Sequence, residues 1–227
     1  MSSPKRKTIF TEREKEICEQ IEVLRVTLFK ARAHYEIGMG LNEHWVKFSR
    51  TIHASRTFWE FTLEGHFNTA LVHLCRAFVE HKDAVTLSKF LNVVGADLAL
   101  FGEKAFRERF GDRPRIEEWG LRRWNPNCSQ LEKDKEFCSK SNQAVANLTK
   151  WRHKIVMHID PQCLGTRRSN FMKQWPWPDM KHLITGGNDI VDRYNSAFQF
   201  VPDDPSPLDL DDYLKVLKSL SGKERQA

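Results

Sequence analysis

Arg152 and His158 stand near the end of a long periodic segment and have the side chains for acid–base work beside an anionic centre. An imidazole titrates near neutrality and can take or return a proton, whereas a guanidinium stays charged and grips anionic oxygens. With Leu148 at zero on a wheel of about 100° per residue, Ala144 falls near about −40°, Ile155 about −20°, Ile159 about +20° and Arg152 about +40°. Arg152 thus lies inside the apolar arc, where a guanidinium persists only with a partner or an opening to solvent. His158 falls at about −80°, at the edge of the arc beside Trp151, while His153, Lys154 and Met157 point outward. Each residue also has a structural reading: an ion pair for Arg152, and a satisfied histidine near a helix C-terminus for His158. A second set, His66, His73 and His81, recurs at seven- and eight-residue spacing on one helical face, as in a metal-binding bundle. Neighbours on that stripe are about 10 Å apart along the axis, so a shared ion needs ligands from other helices.

These residues must be held by helices. Thr11 to Glu14 is a capping box that opens a helix of about 11 to 37, with Ile17, Ile21, Leu24, Leu28 and Ala31 inward and Gly38 and Gly40 ending it. Periodic stretches follow at about 44 to 63 and, after Glu64-Gly65, 66 to 80; a short helix spans 86 to 94. Breakers at Gly111, Pro114, Gly120 and Pro126 mark an irregular insertion around 101–128. One long helix is expected from about Ser129, through Leu131, Phe137, Val145 and Leu148, to Ile159, where Asp160-Pro161 stops it. A Trp175-Pro176-Trp177-Pro178 loop leads to helices at about 179 to 198 and 210 to 220, separated by a linker. The pattern predicts an all-α bundle of four to five long helices over residues 11–200, after a disordered basic segment 1–10 and before a linker, short C-terminal helix and tail in 201–227. Arg76 is expected to pair with Asp83 or Asp97.

The formal net charge is +6, and from Lys150 to Lys173 six basic residues face Asp160 alone, a stretch that attracts a polyanion. Tryptophan with arginine at Trp119 to Trp124, and the Trp175 to Pro178 segment, offer either base-stacking surfaces or clamps onto the core. Five cysteines without a C-x-x-C spacing argue against a disulfide framework or a zinc site, and no metal or other cofactor is expected. No apolar run reaches the roughly 18 residues of a membrane span, so no membrane partner and a cytoplasmic location are expected.

The run Trp151-Arg-His-Lys-Ile-Val-Met-His158-Ile-Asp160, with five residues between arginine and histidine, resembles the signature of the HEPN superfamily. The segment from Phe67 to Arg76 and the short helix from Thr86 to Leu91 are similar to its AbiU-type (abortive infection) branch, and the likeness extends over most of residues 11 to 220. It implies a HEPN-like bundle, usually dimeric, whose Arg152 and His158 are catalytic in metal-independent RNA cleavage to a 2′,3′-cyclic phosphate. Lys150, His153, Lys154, Arg167 and Arg168 are then the candidate RNA contacts. A homodimer and an antitoxin or nucleotidyltransferase partner are the implied associations, as for a toxin-like protein of phage defence. The family commonly carries a small polar residue after the motif arginine, where this chain has His153. The alternative is therefore a non-catalytic HEPN module that binds nucleotide or a partner protein. On one straight α-helix Arg152 and His158 stand about 120° and about 9 Å apart, so either the helix unwinds before Pro161 or two protomers complete the site.

Overall fold

The first helix owes its start to reciprocal capping and its length to two glycines that do not stop it. In the computed structural model, which describes residues 10–110, 127–152, 177–198 and 212–223, helix α1 spans Glu12–His44. Thr11 Oγ1 accepts from the Glu14 N–H at 3.2 Å and Glu14 Oε2 accepts from the Thr11 N–H at 2.9 Å. The end expected at Gly38 and Gly40 is not there. A Cβ at Gly38 would lie 2.6 Å from the Phe67 ring, and one at Gly40 would collide with the Tyr213 hydroxyl. Glycine serves here to let two aromatic rings approach the helix, and that packing offsets its helix-propensity cost of about 1 kcal/mol.

Helix α2 (Ser49–Ala54) and helix α3 (Arg56–Phe78) follow. The break expected at Glu64-Gly65 falls instead at Ser55, and α3 runs on through Gly65. Trp59, Leu63, Phe67, Leu71 and Leu74 are buried along α3, and that burial outweighs one exposed glycine. Helix α4 (Leu87–Ala96) is capped by Thr86, and a 3₁₀ turn covers Leu98–Phe101. The segment expected to be irregular from 101 begins with a helix, α5 (Glu103–Phe110); residues 111–126, with the Trp119 to Trp124 run, lie outside the described residues.

The single long helix expected from Ser129 to Ile159 is divided into α6 (Cys128–Cys138) and α7 (Gln143–Trp151). Ser139-Lys140-Ser141-Asn142 interrupts it because its side chains take backbone groups that a helix would need. Asn142 Nδ2 donates to the Phe137 carbonyl at 2.8 Å, and Asn142 Oδ1 accepts from the Ala144 N–H at 3.0 Å. Helix α8 spans Trp177–Phe198 and α9 spans Asp212–Lys223.

The centre of the fold is α1 packed against α3 and α8. The α1–α3 contacts run in opposite chain senses: Gly38 meets Phe67, His34 meets His66 and His73, and Leu28 and Phe78 both close on Gly187 of α8. Arg109 joins the end of α5 to this centre, donating to Glu14 Oε1 at 3.0 Å and to the Leu100 carbonyl at 2.6 Å, with its guanidinium 4.2 Å from the Phe198 ring centroid. Burial pushes the Glu14 carboxyl up, but hydrogen bonds from Thr11 and Arg109 prevail and hold it below its ordinary value. Asp134 of α6 is likewise buried, accepting from Arg193 at 2.7 and 2.8 Å, Tyr194 at 2.9 Å and Gln130 at 2.9 Å. Asp97, one of the two carboxylates expected to pair with Arg76, pairs instead with Arg13 at 2.8 Å, while Asp83 and Arg76 are both exposed. Among the described residues there is no strand, and no helix is long and apolar enough to cross a membrane.

Candidate functional site

Helix α7 carries the candidate arginine, and its inner face follows the wheel. Ala144, Val145 and Leu148 are buried, while Trp151 and Arg152 are half-buried. The helix is held at its start by the Asn142 cap and at its middle by Asn147, whose Nδ2 donates to Asp179 Oδ2 of α8 at 2.7 Å. Trp177, the first residue of α8, closes over α3 with its ring centroid 4.0 Å from that of Phe67, so this tryptophan is a core clamp.

At Arg152 the backbone keeps right-handed α dihedrals (φ −51°, ψ −49°), and its N–H is shared between the Leu148 and Thr149 carbonyls. The 100° wheel therefore applies through Arg152, and the separation between Arg152 and His158 lies outside the described residues. Among the described residues no carboxylate forms an ion pair with Arg152. Its charge reaches Cys75 of α3: burial pushes that thiol up to about 12, with Arg152 pulling the other way. Cys75 is thus no nucleophile near neutrality, and a half-buried guanidinium faces the α3–α7 seam without an anionic partner among the described residues.

Lys150, the other described residue among the candidates, is exposed on the outer side of α7. His153, Lys154, His158, Arg167 and Arg168 lie outside the described residues, as do Ile155, Ile159, Asp160-Pro161 and Trp175.

The histidine stripe resolves differently from its spacing. His66 and His73 come together with His34 of α1, which the sequence pattern did not include, whereas His81 is exposed in the turn after α3. His34 Nδ1 and His66 Nδ1 are 3.0 Å apart, so one ring must donate and the other accept. The His34 and His73 rings stack with centroids 6.4 Å apart, and His73 Nδ1 is buried without a hydrogen-bond partner among the described residues. Burial lowers the pKa of all three rings, that of His73 to about 4, with Arg76, Lys30 and His34 adding to the effect on His73. Among the described residues no group of three His, Cys, Asp or Glu side chains is arranged to hold a metal ion.

The sequence also agrees with a family model over nearly its whole length. The model, HEPN_AbiU2, described as AbiU2, matches residues 14–216. No curated protein and no solved structure matches the chain. The matched span takes in the helices from α1 into α9, including the segment from Arg152 to His158, and on that ground the chain belongs to the AbiU2 family of HEPN proteins, with the all-α, HEPN-like fold described above.

Proposed function

We propose that the chain is a metal-independent endoribonuclease, a toxin-like RNA-targeting protein, in which Arg152 and His158 are the catalytic pair. The observation that carries this reading is Arg152, a half-buried cation on the α3–α7 seam for which no ion pair forms among the described residues. In this reading Arg152 holds the non-bridging oxygens of a phosphodiester, where charge grows as the fifth oxygen adds to phosphorus. A neutral imidazole takes the proton of the ribose 2′-hydroxyl; the 2′-oxygen attacks phosphorus, the bond to the 5′-oxygen breaks, and an imidazolium returns a proton to that leaving oxygen. The products are a 2′,3′-cyclic phosphate and a 5′-hydroxyl. Lys150, His153, Lys154, Arg167 and Arg168 contact the flanking backbone in this scheme. The chain works as a homodimer whose two motifs share one cleft, under an antitoxin or nucleotidyltransferase partner that restrains it, in the cytoplasm where its RNA is found.

The test is cleavage of a short labelled RNA by the purified chain in excess chelator, with product ends identified. Arg152→Ala and His158→Ala should each lower the rate about 10²- to 10⁴-fold with helicity unchanged, because each removes a positioned group that acts in the transition state. His153→Ala should cost less. Cleavage that disappears with chelator, or that is indifferent to His158→Ala, overturns the assignment. Tight RNA or nucleotide binding without cleavage would instead identify a non-catalytic module.

A further inference from the structure

One turn before Arg152 on α7 the chain forms a half-open cavity that the Arg/His chemistry does not use. Its volume is about 380 Å³, and it lies between the end of α3, α4, the α6–α7 turn and the inner face of α7. That is the scale of a site for a small organic ligand. Part of its wall is apolar and buried, formed by Phe78 and Val145, both about 2% exposed. Ser88 and Thr149 add hydroxyls that already donate, to the Cys138 carbonyl at 3.4 Å and the Val145 carbonyl at 3.1 Å, and so keep lone pairs to accept. At the mouth stand Asn92, Lys140 and Glu80, all exposed, whose side chains make no hydrogen bond or ion pair among the described residues.

That combination suits one kind of occupant. A planar, largely apolar ring fits the inner wall, a carboxamide offers two donors and an acceptor to its edge, and an unpaired ammonium suits a phosphate. Glu80 at the mouth disfavours a bare anion and favours a ligand that presents N–H donors. The site also has the right neighbour. Thr149 is three residues before Arg152, and Phe78 is three residues after Cys75, the thiol that Arg152 faces; each separation is a little under one helical turn, about 5 Å. A base in the cavity is therefore a nucleotide's reach from a phosphodiester held by Arg152.

We propose that this cavity binds one nucleotide unit of an RNA strand, with its base against the Phe78–Val145 wall within reach of Asn92 and a phosphate on Lys140. The proposal rests on the reading of Arg152 as an RNA-phosphate contact and adds the subsite that seats the strand beside it. The full-length chain is titrated calorimetrically with adenosine 3′-monophosphate, with adenosine, with inorganic phosphate and with a tetranucleotide RNA. The mononucleotide should bind more tightly than either of its parts, and Asn92→Ala and Lys140→Ala should each weaken it about 3- to 10-fold, the loss of one hydrogen bond or charge contact. Both side chains are exposed and unpaired, so both variants should keep the wild-type melting temperature. The tetranucleotide should be weakened by the same two substitutions; if only the free nucleotide is, the RNA assignment falls. Equal binding by wild type and variants, phosphate binding as tight as that of the nucleotide, or no nucleotide binding overturns the proposal. Cleavage that survives both substitutions with no loss of binding sinks the subsite and leaves the nuclease standing, whereas substitution-sensitive binding without cleavage does the reverse.

Discussion

Lowering the pH from 7 to 5 should destabilise the protein through His73, and the size of the effect follows from its surroundings. The ring stacks on His34 of α1, with Arg76 of its own helix and Lys30 also acting on it, and its buried Nδ1 has no hydrogen-bond partner among the described residues. Burial first, then these positive neighbours, lowers its pKa from 6.5 to about 4. The unfolded chain therefore binds the proton more readily, and stability is full above pH 6.5 and drains as the pH falls through 6.5 toward about 4. Taken at full strength, that gap costs about 1.8 kcal/mol between pH 7 and 5; partial exposure of the ring and screening reduce it to about 1 kcal/mol. His34 and His66, whose pKa values are also lowered, add to the loss in the same direction. His73→Phe keeps a ring and removes the titration, so urea unfolding of wild type and variant at both pH values isolates the one residue. The variant should lose about 1 kcal/mol less than wild type between pH 7 and 5, worth about 2–4 °C for a chain of this size. Equal losses in the two proteins would refute the argument.

Glycines in two helices should respond oppositely to alanine. Gly38→Ala drives a Cβ into the Phe67 ring, which is also packed edge-on against Trp177, and should cost about 1–3 kcal/mol by thermal melt; Gly65→Ala, with nothing within 4 Å, should gain about 1 kcal/mol. Asp134→Ala strands Arg193 and Tyr194 in a buried site and should cost about 3–5 kcal/mol in denaturant unfolding, whereas a surface pair such as Lys15 with Glu12 should contribute at most about 1 kcal/mol. Arg152→Met should leave stability unchanged or raise it by up to about 1 kcal/mol, because no ion pair is lost among the described residues, while abolishing RNA cleavage. A strongly destabilised Arg152→Met would mark that arginine as structural.

Much of the architecture was legible because helical periodicity is a local property. Ile17, Ile21, Leu24, Leu28 and Ala31 repeat at the spacing that buries one face, and all five are fully buried in α1; Thr11 and Glu14 announced the cap that forms. The placement of Arg152 beside an apolar arc was readable for the same reason, since Leu148 and Ala144 turn inward and Arg152 follows them half-buried. Boundaries were harder. Gly38, Gly40 and Gly65 look alike in a sequence, yet two admit an aromatic ring from another element and the third faces open space. The split between α6 and α7 turned on which backbone groups Asn142 captures, a local competition that apolar spacing alone does not register.

By itself the sequence determined the helical class, the cap of α1, the inward face of α7 and the family to which the chain belongs. Tertiary structure alone decided what surrounds those residues. His34 joins His66 and His73 only because α1 and α3 run in opposite senses, and the cavity mouth gathers Glu80, Asn92 and Lys140 from segments that have no common period. The physical reason is the same in both cases. Periodicity reports which side of a helix avoids water, whereas the partner that each side meets is set by how helices distant in the chain pack together.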